Sequence, residues 1–342
     1  MNKLQIFKIA MLSGLLLFNF GCKDSLHQSE WQTNGKTMGV NYSVQIAHCN
    51  KKQCNKDLAS NISGRLQRLD AQYSHYRKDS ELSKFNLLQS DEWFDASHEF
   101  LEIVQLASKV SKKSDGAFDI TVGQAVNNWG FGPNDEKTRT KKTSLVDTPK
   151  NPGYEKLQIR SLPTALRKID PEIKIDFSGI VKGYATDQIA YMLEFLGLNN
   201  YVIDIGGELR LSGYRNDQKL WQVGIETPDD NQKINFILTP GDNAVATSGD
   251  YRNFYLVDGK RISHTIDPKS GRPIIHSLSS VTVIDPLGAN ADAWATALMV
   301  MGPEKGFNFA QEMSLPALFL NRTKKGFDPL VTNEMRDYLL KP

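Results

Sequence analysis

Residues 174–196 read KIDFSGIVKGYATDQIAYMLEFL and combine three patterns in one stretch. Apolar residues first alternate and then recur at helical spacing, at Ile173, Ile175, Phe177, Ile189, Leu193 and Leu196. Gly179 and Gly183 lie between the two patterns and mark a turn. Alternation predicts a strand and a period near four predicts a helix, so we expect a strand, a tight loop and a helix in that order.

A phosphate-binding loop is one interpretation of this turn. The first N–H groups of a helix are unpaired and carry a partial positive charge, and glycine lets a ligand approach the backbone. Lys182 adds a full positive charge, whereas Asp176 would repel a bare phosphate unless a cation or a donor-rich ring lay between them. The segment GIVKGY lacks the spacing of a Walker loop. The alternative is an ordinary strand-to-helix connection with a surface lysine.

The composition narrows the class of protein. A chain of 342 residues suffices for one large domain or two ordinary ones. Its 40% apolar and 23% charged residues are typical of a soluble globular protein. The net charge of +2 is nearly balanced and there is no basic block, which argues against nucleic acid as a partner.

The N-terminus has the layout of a secretory signal, because two lysines precede an apolar run that ends at Gly21–Cys22. A cysteine directly after a small residue is similar to a bacterial lipoprotein signal, in which Cys22 becomes the lipidated first residue. A plain cleaved signal with an incidental cysteine is the alternative. We therefore expect a signal over residues 1–22, a polar tether over 23–35 and the folded domain over 36–342.

Export changes the interpretation of Cys49 and Cys54. In an oxidising compartment, two cysteines this close in sequence favour a disulfide that closes a small loop. Half a metal site is the other interpretation, but the chain has only three cysteines and one of them is the candidate lipid anchor.

The remaining periodicity predicts a mixed α+β fold, because strands outnumber helices in the second half without strict alternation. We expect helices over residues 57–73, 98–112, 292–300 and 304–313, and an exposed excursion over 134–154. We expect strands over residues 38–46, 201–211, 221–225, 235–238, 254–257 and 278–284. Trp129 and Phe131 lie among glycines, which suits either a flat ligand-binding face or the filling of a buried loop.

Asp292 and Thr296 are candidate metal ligands. They are four residues apart at the start of a predicted helix, so their oxygens lie on one helix face. A carboxylate, a hydroxyl and a backbone carbonyl are hard oxygen ligands that suit Mg²⁺. The alternative is that Asp292 caps the helix and Thr296 is an ordinary polar helix residue.

His264 stands at the entry to a turn that Pro268 and Gly271 fix, and it is a candidate proton acceptor. A lone histidine with a structural role is the alternative. Ser248 is not part of a GxSxG motif, so a hydrolase nucleophile is not supported. The segment Asp204–Glu208 lacks the glycine spacing of a dinucleotide-binding fingerprint.

Taken together and in this order, the motifs resemble those of the ApbE-type FAD:protein FMN transferases. The matching segments are Thr37–Gly39, Ser74–Ser83, Gly116–Asp119, Trp129–Gly132, Asp176–Tyr184, Gly206–Glu208, Ser248–Tyr251, His264–Gly271 and Ala291–Thr296. They cover nearly all of the exported chain. The resemblance implies a T-fold-related, two-lobed architecture with mixed sheets and flanking helices, and FAD in the cleft between the lobes.

The same resemblance implies roles for individual residues. The FAD-contacting positions would be Met38, Tyr76, Ala117, Phe118, Asp119, Asp176, Lys182 and Ile266. The Mg²⁺ ligands would be Gly179 and Ala295 through their carbonyls, together with Asp292 and Thr296. His264 is the expected base, since the reference pKa of histidine, about 6.5, lies near working pH.

The implied activity is Mg²⁺-dependent transfer of the FMN moiety of FAD to a Thr or Ser hydroxyl of a client protein, with release of AMP. The implied clients are flavin-bearing subunits of sodium-pumping NADH:quinone oxidoreductases (Nqr) and Rnf-type complexes. The protein would act on the periplasmic side of a bacterial membrane, held by its lipid anchor. Two alternatives stay open: a pyrophosphatase that releases free FMN and AMP, and a non-catalytic exported flavin carrier.

Overall fold

The computed structural model describes residues 29–133, 153–228, 234–250, 254–257 and 260–340. The predicted signal with Cys22, the first part of the predicted tether and most of the predicted excursion lie outside these ranges. Within the described ranges, no helix is both long enough and apolar enough to cross a membrane.

Strands dominate the second half of the described chain, as predicted. In chain order they are β1 (Ser29–Thr37), β2 (Val40–Cys49), β3 (Phe94–Asp95), β4 (Leu157–Ser161), β5 (Thr164–Lys168), β6 (Tyr201–Ile205), β7 (Glu208–Ser212), β8 (Val223–Glu226), β9 (Ile234–Leu238), β10 (Ala244–Gly249), β11 (Phe254–Val257), β12 (Lys260–Ser263), β13 (Ile266–Asp267), β14 (Arg272–Pro273), β15 (Leu278–Asp285), β16 (Ala317–Thr323) and β17 (Gly326–Val331).

The helices flank these strands. They are α1 (Lys56–Tyr73), α2 (Glu81–Leu87), α3 (His98–Lys113), α4 (Gly123–Asn128), α5 (Val181–Phe195), α6 (Gly288–Met301) and α7 (Pro303–Glu312), with short 3₁₀ turns at Tyr154–Lys156 and Glu334–Asp337. Asn55, Ser80 and Ser97 cap α1, α2 and α3 with their side-chain oxygens, which is the usual way to satisfy the first N–H groups of a helix.

An eight-stranded antiparallel sheet forms the centre of the fold, in the order β1-β2-β6-β7-β10-β15-β16-β17. Four small sheets surround it: β3-β5-β4, β8-β9, β11-β12 and β13-β14. The mixed α+β class predicted from the sequence is confirmed.

The central sheet is buried on both faces, as the alternation of its side chains shows. Phe319 packs in the large cluster that contains α1, α3, α5 and α6, whereas Leu318 and Leu320 pack in a second cluster with Trp221 and Met335. Successive side chains of a strand point to opposite faces, so the two clusters lie on opposite sides of the sheet. Ten of the fourteen residues of helix α6 are buried, and most of these belong to the first cluster.

Several sequence predictions about local structure were wrong. Residues 173–177 form no strand, only an isolated parallel bridge between Lys174 and Val122. Ile175 instead exchanges hydrogen bonds with the Asn86 side chain, and the Asp176 N–H donates to the Ile120 carbonyl at 2.7 Å. An alternating, buried, extended segment can therefore satisfy its backbone without a sheet.

The predicted tether also differs, because residues 29–35 belong to the edge strand β1. An edge strand has one unpaired side, and polar residues are common there. Met38 and Gly39, predicted to begin a strand, form the turn between β1 and β2, with φ of 49° and 75°. The predicted disulfide between Cys49 and Cys54 is confirmed.

Candidate active site

The start of α5 lies directly against α6, and two glycines make this approach possible. A Cβ on Gly183 would lie 2.1 Å from the Gly288 carbonyl oxygen and 2.8 Å from the Asp292 Cβ. A Cβ on Gly288 would lie 2.5 Å from the Gly183 carbonyl oxygen. The two backbones therefore touch, and the first turn of α5 meets the first two turns of α6.

The two helices cap each other. Asp292 of α6 accepts a hydrogen bond from the Gly183 N–H at 3.1 Å, and Asp187 of α5 accepts from the N–H groups of Gly288 and Ala289 at 2.7 and 2.9 Å. Because α6 begins at Gly288, Asp292 lies within this helix and does not cap it. The capping role that the sequence suggested for Asp292 belongs to Asp187, which the sequence analysis did not identify.

Several N–H groups at the start of α5 are already paired within the protein. The N–H groups of Val181, Gly183 and Tyr184 already donate to Phe177, Asp292 and Ile180. These three N–H groups are therefore not available to a phosphate, and Lys182 supplies a full positive charge at the same point. Burial raises the pKa of Asp187 to about 6, although the hydrogen bonds that it accepts from the two N–H groups oppose the rise.

Lys182 lies between two buried carboxylates. Its Nζ is 2.5 Å from Glu208 Oε1, and its charge also acts on Asp292. Asp292 and Glu208 are each 4% exposed. Burial raises the pKa of Glu208 to about 7 and raises the pKa of Asp292, while Lys182 acts in the opposite direction on both. Glu208 is a site residue that sequence reasoning missed, although its Gly-Gly-Glu segment was noted.

Thr296 lies one turn beyond Asp292 and meets three other elements. A Cβ on Gly179 would be 2.9 Å from the Thr296 Oγ1 and 3.3 Å from the Phe118 ring, so these three residues adjoin one another. The Ser248 Oγ lies 3.1 Å from the Thr296 Oγ1. We call the set of Gly179, Lys182, Glu208, Asp292 and Thr296 the helix-crossing cluster.

The helix-crossing cluster fits a hard divalent cation by its donor atoms and by its charge. Among the described residues, no group of three or more His, Cys, Asp or Glu side chains is arranged to hold a metal ion, so hydroxyl and carbonyl oxygens would have to complete the ligand set. With both acids ionised, Glu208, Asp292 and Lys182 sum to one buried negative charge. Buried net charge is costly, and a divalent cation would compensate it.

A second group of predicted residues lies around Asp176. Its Oδ2 is 4.0 Å from the His75 Nδ1, and the His75 ring packs at 4.3 Å from the ring of Tyr76, which is 63% exposed. Asp119 plays a different part, because both of its oxygens accept hydrogen bonds from the nearby backbone at Thr121 and Tyr154. Its carboxylate thus fixes the loop that follows Phe118.

His264 belongs to an aromatic cluster, which we define as Trp129, Phe131, Tyr255 and His264. The Phe131 ring lies 5.2 Å from the Tyr255 ring and 6.2 Å from the His264 ring. The Tyr255 hydroxyl donates to the Trp129 carbonyl at 2.9 Å, and the Trp129 Nε1 donates to the Gly271 carbonyl at 2.8 Å. Trp129 and Phe131 therefore fix the turn that carries His264.

Asp250 ties the hairpin β11-β12, which leads to His264, to the central sheet. It is 6% exposed, and its carboxylate lies 3.8 Å from the Arg261 Nε and 3.3 Å from the Arg322 Nη2. Arg261 also donates to the Asp250 carbonyl at 2.7 Å, and Arg322 donates to the Ser279 hydroxyl at 2.7 Å. One buried acid thus joins β12, β15 and β16.

The structure places the other predicted residues around these clusters. Ala117 and Ala295 are buried beside Phe118 and Thr296 in the chain, and Ile266 is buried in the small sheet β13-β14. Met38 lies in the β1-β2 turn, and the strand that follows it contacts Gly206, whose N–H donates to the Asn41 carbonyl at 3.0 Å. Two short segments, residues 117–131 and 248–250, connect the helix-crossing cluster to the aromatic cluster.

Comparison with known proteins identifies the family of this chain. The family model described as "ApbE family" matches residues 38–319. A protein of Vibrio cholerae serotype O1 named FAD:protein FMN transferase is 39% identical, over 97% of this chain and 98% of its own length. A protein of the same name from Escherichia coli K12 is 34% identical over 99% of both chains.

Solved structures agree with this likeness. The flavin transferase ApbE from Vibrio cholerae has a TM-score of 0.80 at 38% identity and covers 91% of this chain and 100% of its own. The apo form of the Pseudomonas stutzeri flavinyl transferase ApbE has a TM-score of 0.83 at 35% identity, over 92% of this chain and 98% of its own. The fold is that of the solved flavin transferases. The chain belongs to the ApbE family.

Proposed function

We propose that this protein transfers the FMN moiety of FAD to a Thr or Ser hydroxyl of a client protein in a Mg²⁺-dependent reaction that releases AMP. The observation that carries the proposal is the contact between Asp292 and the first turn of α5, which carries Lys182, at 3.1 Å from the Gly183 N–H to the Asp292 Oδ2. It brings a lysine and a buried acid to one place, in a chain whose relatives at 34–39% identity are named FAD:protein FMN transferase.

In this proposal the helix-crossing cluster receives the pyrophosphate of FAD. Asp292, Thr296 and the carbonyls of Gly179 and Ala295 would hold Mg²⁺, which supplies positive charge that stabilises charge developing on phosphate oxygens. Lys182 adds a fixed positive charge, held in place by Glu208. Stabilising that charge is the main task of a protein in phosphoryl transfer.

His264 is the proposed base. The client hydroxyl oxygen attacks the phosphorus on the FMN side, the bond from that phosphorus to the bridging oxygen breaks, and AMP leaves with that oxygen. His264 takes the proton of the hydroxyl and later releases it to solvent. The contacts of the aromatic cluster orient the histidine and the turn that carries it.

The remaining predicted residues would position FAD. Around Asp176, the exposed ring of Tyr76 offers a stacking surface and the carboxylate offers acceptors for a donor-bearing ring edge. The other proposed contacts are Met38, Ala117, Phe118, Asp119 and Ile266.

Location and partners extend the proposal beyond the described residues. We propose a lipid anchor at Cys22, a site of action on the periplasmic side of a bacterial membrane, and clients among flavin-bearing subunits of Nqr and Rnf-type complexes. These proposals are supported by the signal-like N-terminus and by the confirmed disulfide, which suits an oxidising compartment.

Mass measurement of a candidate client after incubation with FAD, Mg²⁺ and the protein tests the function. We expect a gain equal to one FMN moiety per acceptor site, together with AMP. Free FMN and AMP without a gain would indicate a pyrophosphatase, and no turnover would indicate a flavin carrier; either result would contradict the proposal.

Two variants test the assigned roles in the same assay. His264→Ala should bind FAD like the wild type but transfer FMN at least about a hundredfold more slowly, the usual contribution of a general base. Asp292→Ala should lose both Mg²⁺ dependence and transfer. Unimpaired transfer in either variant would refute the corresponding role.

A further inference from the structure

Glu208 has one carboxylate oxygen without a protein partner. Oε1 contacts Lys182 at 2.5 Å, while Oε2 is buried and accepts no hydrogen bond from the described residues. The side chain is only 5% exposed, so bulk water does not reach it freely. Buried carboxylate oxygens are normally hydrogen-bonded, so an unpaired one next to a ligand site calls for an explanation.

Charge gives the explanation. The Lys182 Nζ contacts Glu208, and the N–H of the next residue, Gly183, donates to Asp292, so both acids lie beside the first turn of α5. One lysine cannot neutralise two buried carboxylates, and the cluster keeps a net charge of −1 when both are ionised. A divalent cation would change this charge to +1, which is the sign that an incoming pyrophosphate requires.

We infer that Glu208 is a further residue of the divalent-cation site, acting through Oε2, in addition to holding Lys182 through Oε1. This inference rests on the proposed function, because it concerns the cation of that reaction. The narrower possibility is that Glu208 serves Lys182 alone. The two differ in what they predict for binding of the cation to the protein.

Direct titration with Mn²⁺, as a detectable substitute for Mg²⁺, separates these possibilities. It is done on the full chain, with and without saturating FAD, so that activity is not the readout. Glu208→Gln keeps the shape of the side chain and an acceptor for Lys182, and should weaken Mn²⁺ binding at least about tenfold, as loss of a supporting carboxylate does at other metal sites. The matched control is Glu99→Gln, because Glu99 of α3 also pairs with a basic residue, Arg65 of α1.

Lys182→Met supplies a second test with the opposite sign. Removing the positive charge should tighten Mn²⁺ binding in an otherwise wild-type chain, and adding Glu208→Gln should abolish that gain. Circular dichroism of each variant establishes that it is folded. Equal Mn²⁺ affinity in the wild type, Glu208→Gln and Lys182→Met would overturn the inference.

The outcome is separable from that of the proposed function. A wild type that transfers FMN while Glu208→Gln binds Mn²⁺ normally refutes the role of Glu208 and keeps the function. A wild type without FMN transfer refutes the function, and the titration still decides whether Glu208 belongs to a cation site.

Discussion

The helix-crossing cluster and the aromatic cluster are built in different ways. The first lies on two long helices that touch through backbone atoms at Gly183 and Gly288, inside the main hydrophobic cluster. The second joins Trp129 and Phe131, which follow α4, to Tyr255 of the hairpin β11-β12 and to His264 after it, through side-chain hydrogen bonds and ring contacts. Ion pairs of Asp250 tie the same hairpin to the central sheet. Changes in the first cluster should therefore affect folding and binding together, whereas changes in the second should affect turnover more than stability.

The largest effect is expected for Gly183→Ala. The added methyl group would overlap backbone atoms of α6, so the helices would have to separate. Overpacking of this kind destabilises by about 3 kcal/mol. Equilibrium unfolding in urea measures the change, and FAD binding should weaken as well because Lys182 and Asp292 would move apart.

Gly64→Ala is the matched control for this substitution. Gly64 lies inside α1, and only the far end of Arg68, at 3.8 Å, lies near its added methyl group. Alanine should stabilise this helix by up to about 1 kcal/mol. If both variants changed stability alike, the close crossing of α5 and α6 would not be the cause.

A smaller effect is expected for Asp250→Asn in the second region. The substitution leaves Arg261 and Arg322 without their counter-charge, and because both arginines are partly exposed the cost should be about 1–2 kcal/mol. Displacement of the hairpin should slow FMN transfer about tenfold, while the KM for FAD stays unchanged.

The interaction of this variant with His264→Ala distinguishes positioning from general stability. In the His264→Ala background, Asp250→Asn should slow transfer no further, because the group that it positions is gone. Asp217→Asn removes an exposed partner of Arg215 and should match the wild type. Additive losses in the double variant would show that Asp250 acts on something other than His264.

The smallest effect is expected for Trp129→Phe, which removes the hydrogen bond from Nε1 to the Gly271 carbonyl and part of the ring of a half-buried side chain, while keeping an aromatic residue. One such bond contributes about 1 kcal/mol, so transfer should fall several-fold while the midpoint of unfolding changes little. A stopped assay with saturating FAD and client measures the first quantity. A large fall in stability instead would place Trp129 among the residues that hold the core together.

Much of the fold could be predicted from the sequence because its helices and strands have clear periods. The helices around Leu66 and Val104 lie where the spacing placed them, and so do most strands of the second half. The strand predicted for residues 173–177 was wrong because their alternating pattern reflects burial against Asn86 and the loop at Ile120. These partners are remote in sequence, so the sequence does not reveal them. Strand β1 was not predicted because most of its residues are polar, and a strand at the edge of a sheet can pair without an alternating apolar pattern.

The candidate site was predictable where a motif carries its chemistry within a few residues. Asp292 and Thr296 share a helix face, and that spacing is visible in the chain. Glu208 and Asp187 were missed because their roles depend on partners across the fold, at Lys182 and at the start of α6. In the sequence, nothing distinguishes these two acids from surface carboxylates, and only their burial in the fold shows that they have a role.

The mutual capping of α5 and α6 sets a fixed spacing inside the protein. Asp187 accepts hydrogen bonds from the first two N–H groups of α6, the helix that carries Asp292. Asp292 in turn accepts a hydrogen bond from the first turn of α5, the helix that carries Lys182 and Asp187. Neither helix can slide or rotate relative to the other without breaking the hydrogen bonds of both carboxylates. The distance between Lys182 and Asp292 is therefore set when the protein folds. A nucleotide would bind to a preorganised site, and little conformational entropy would be lost on binding.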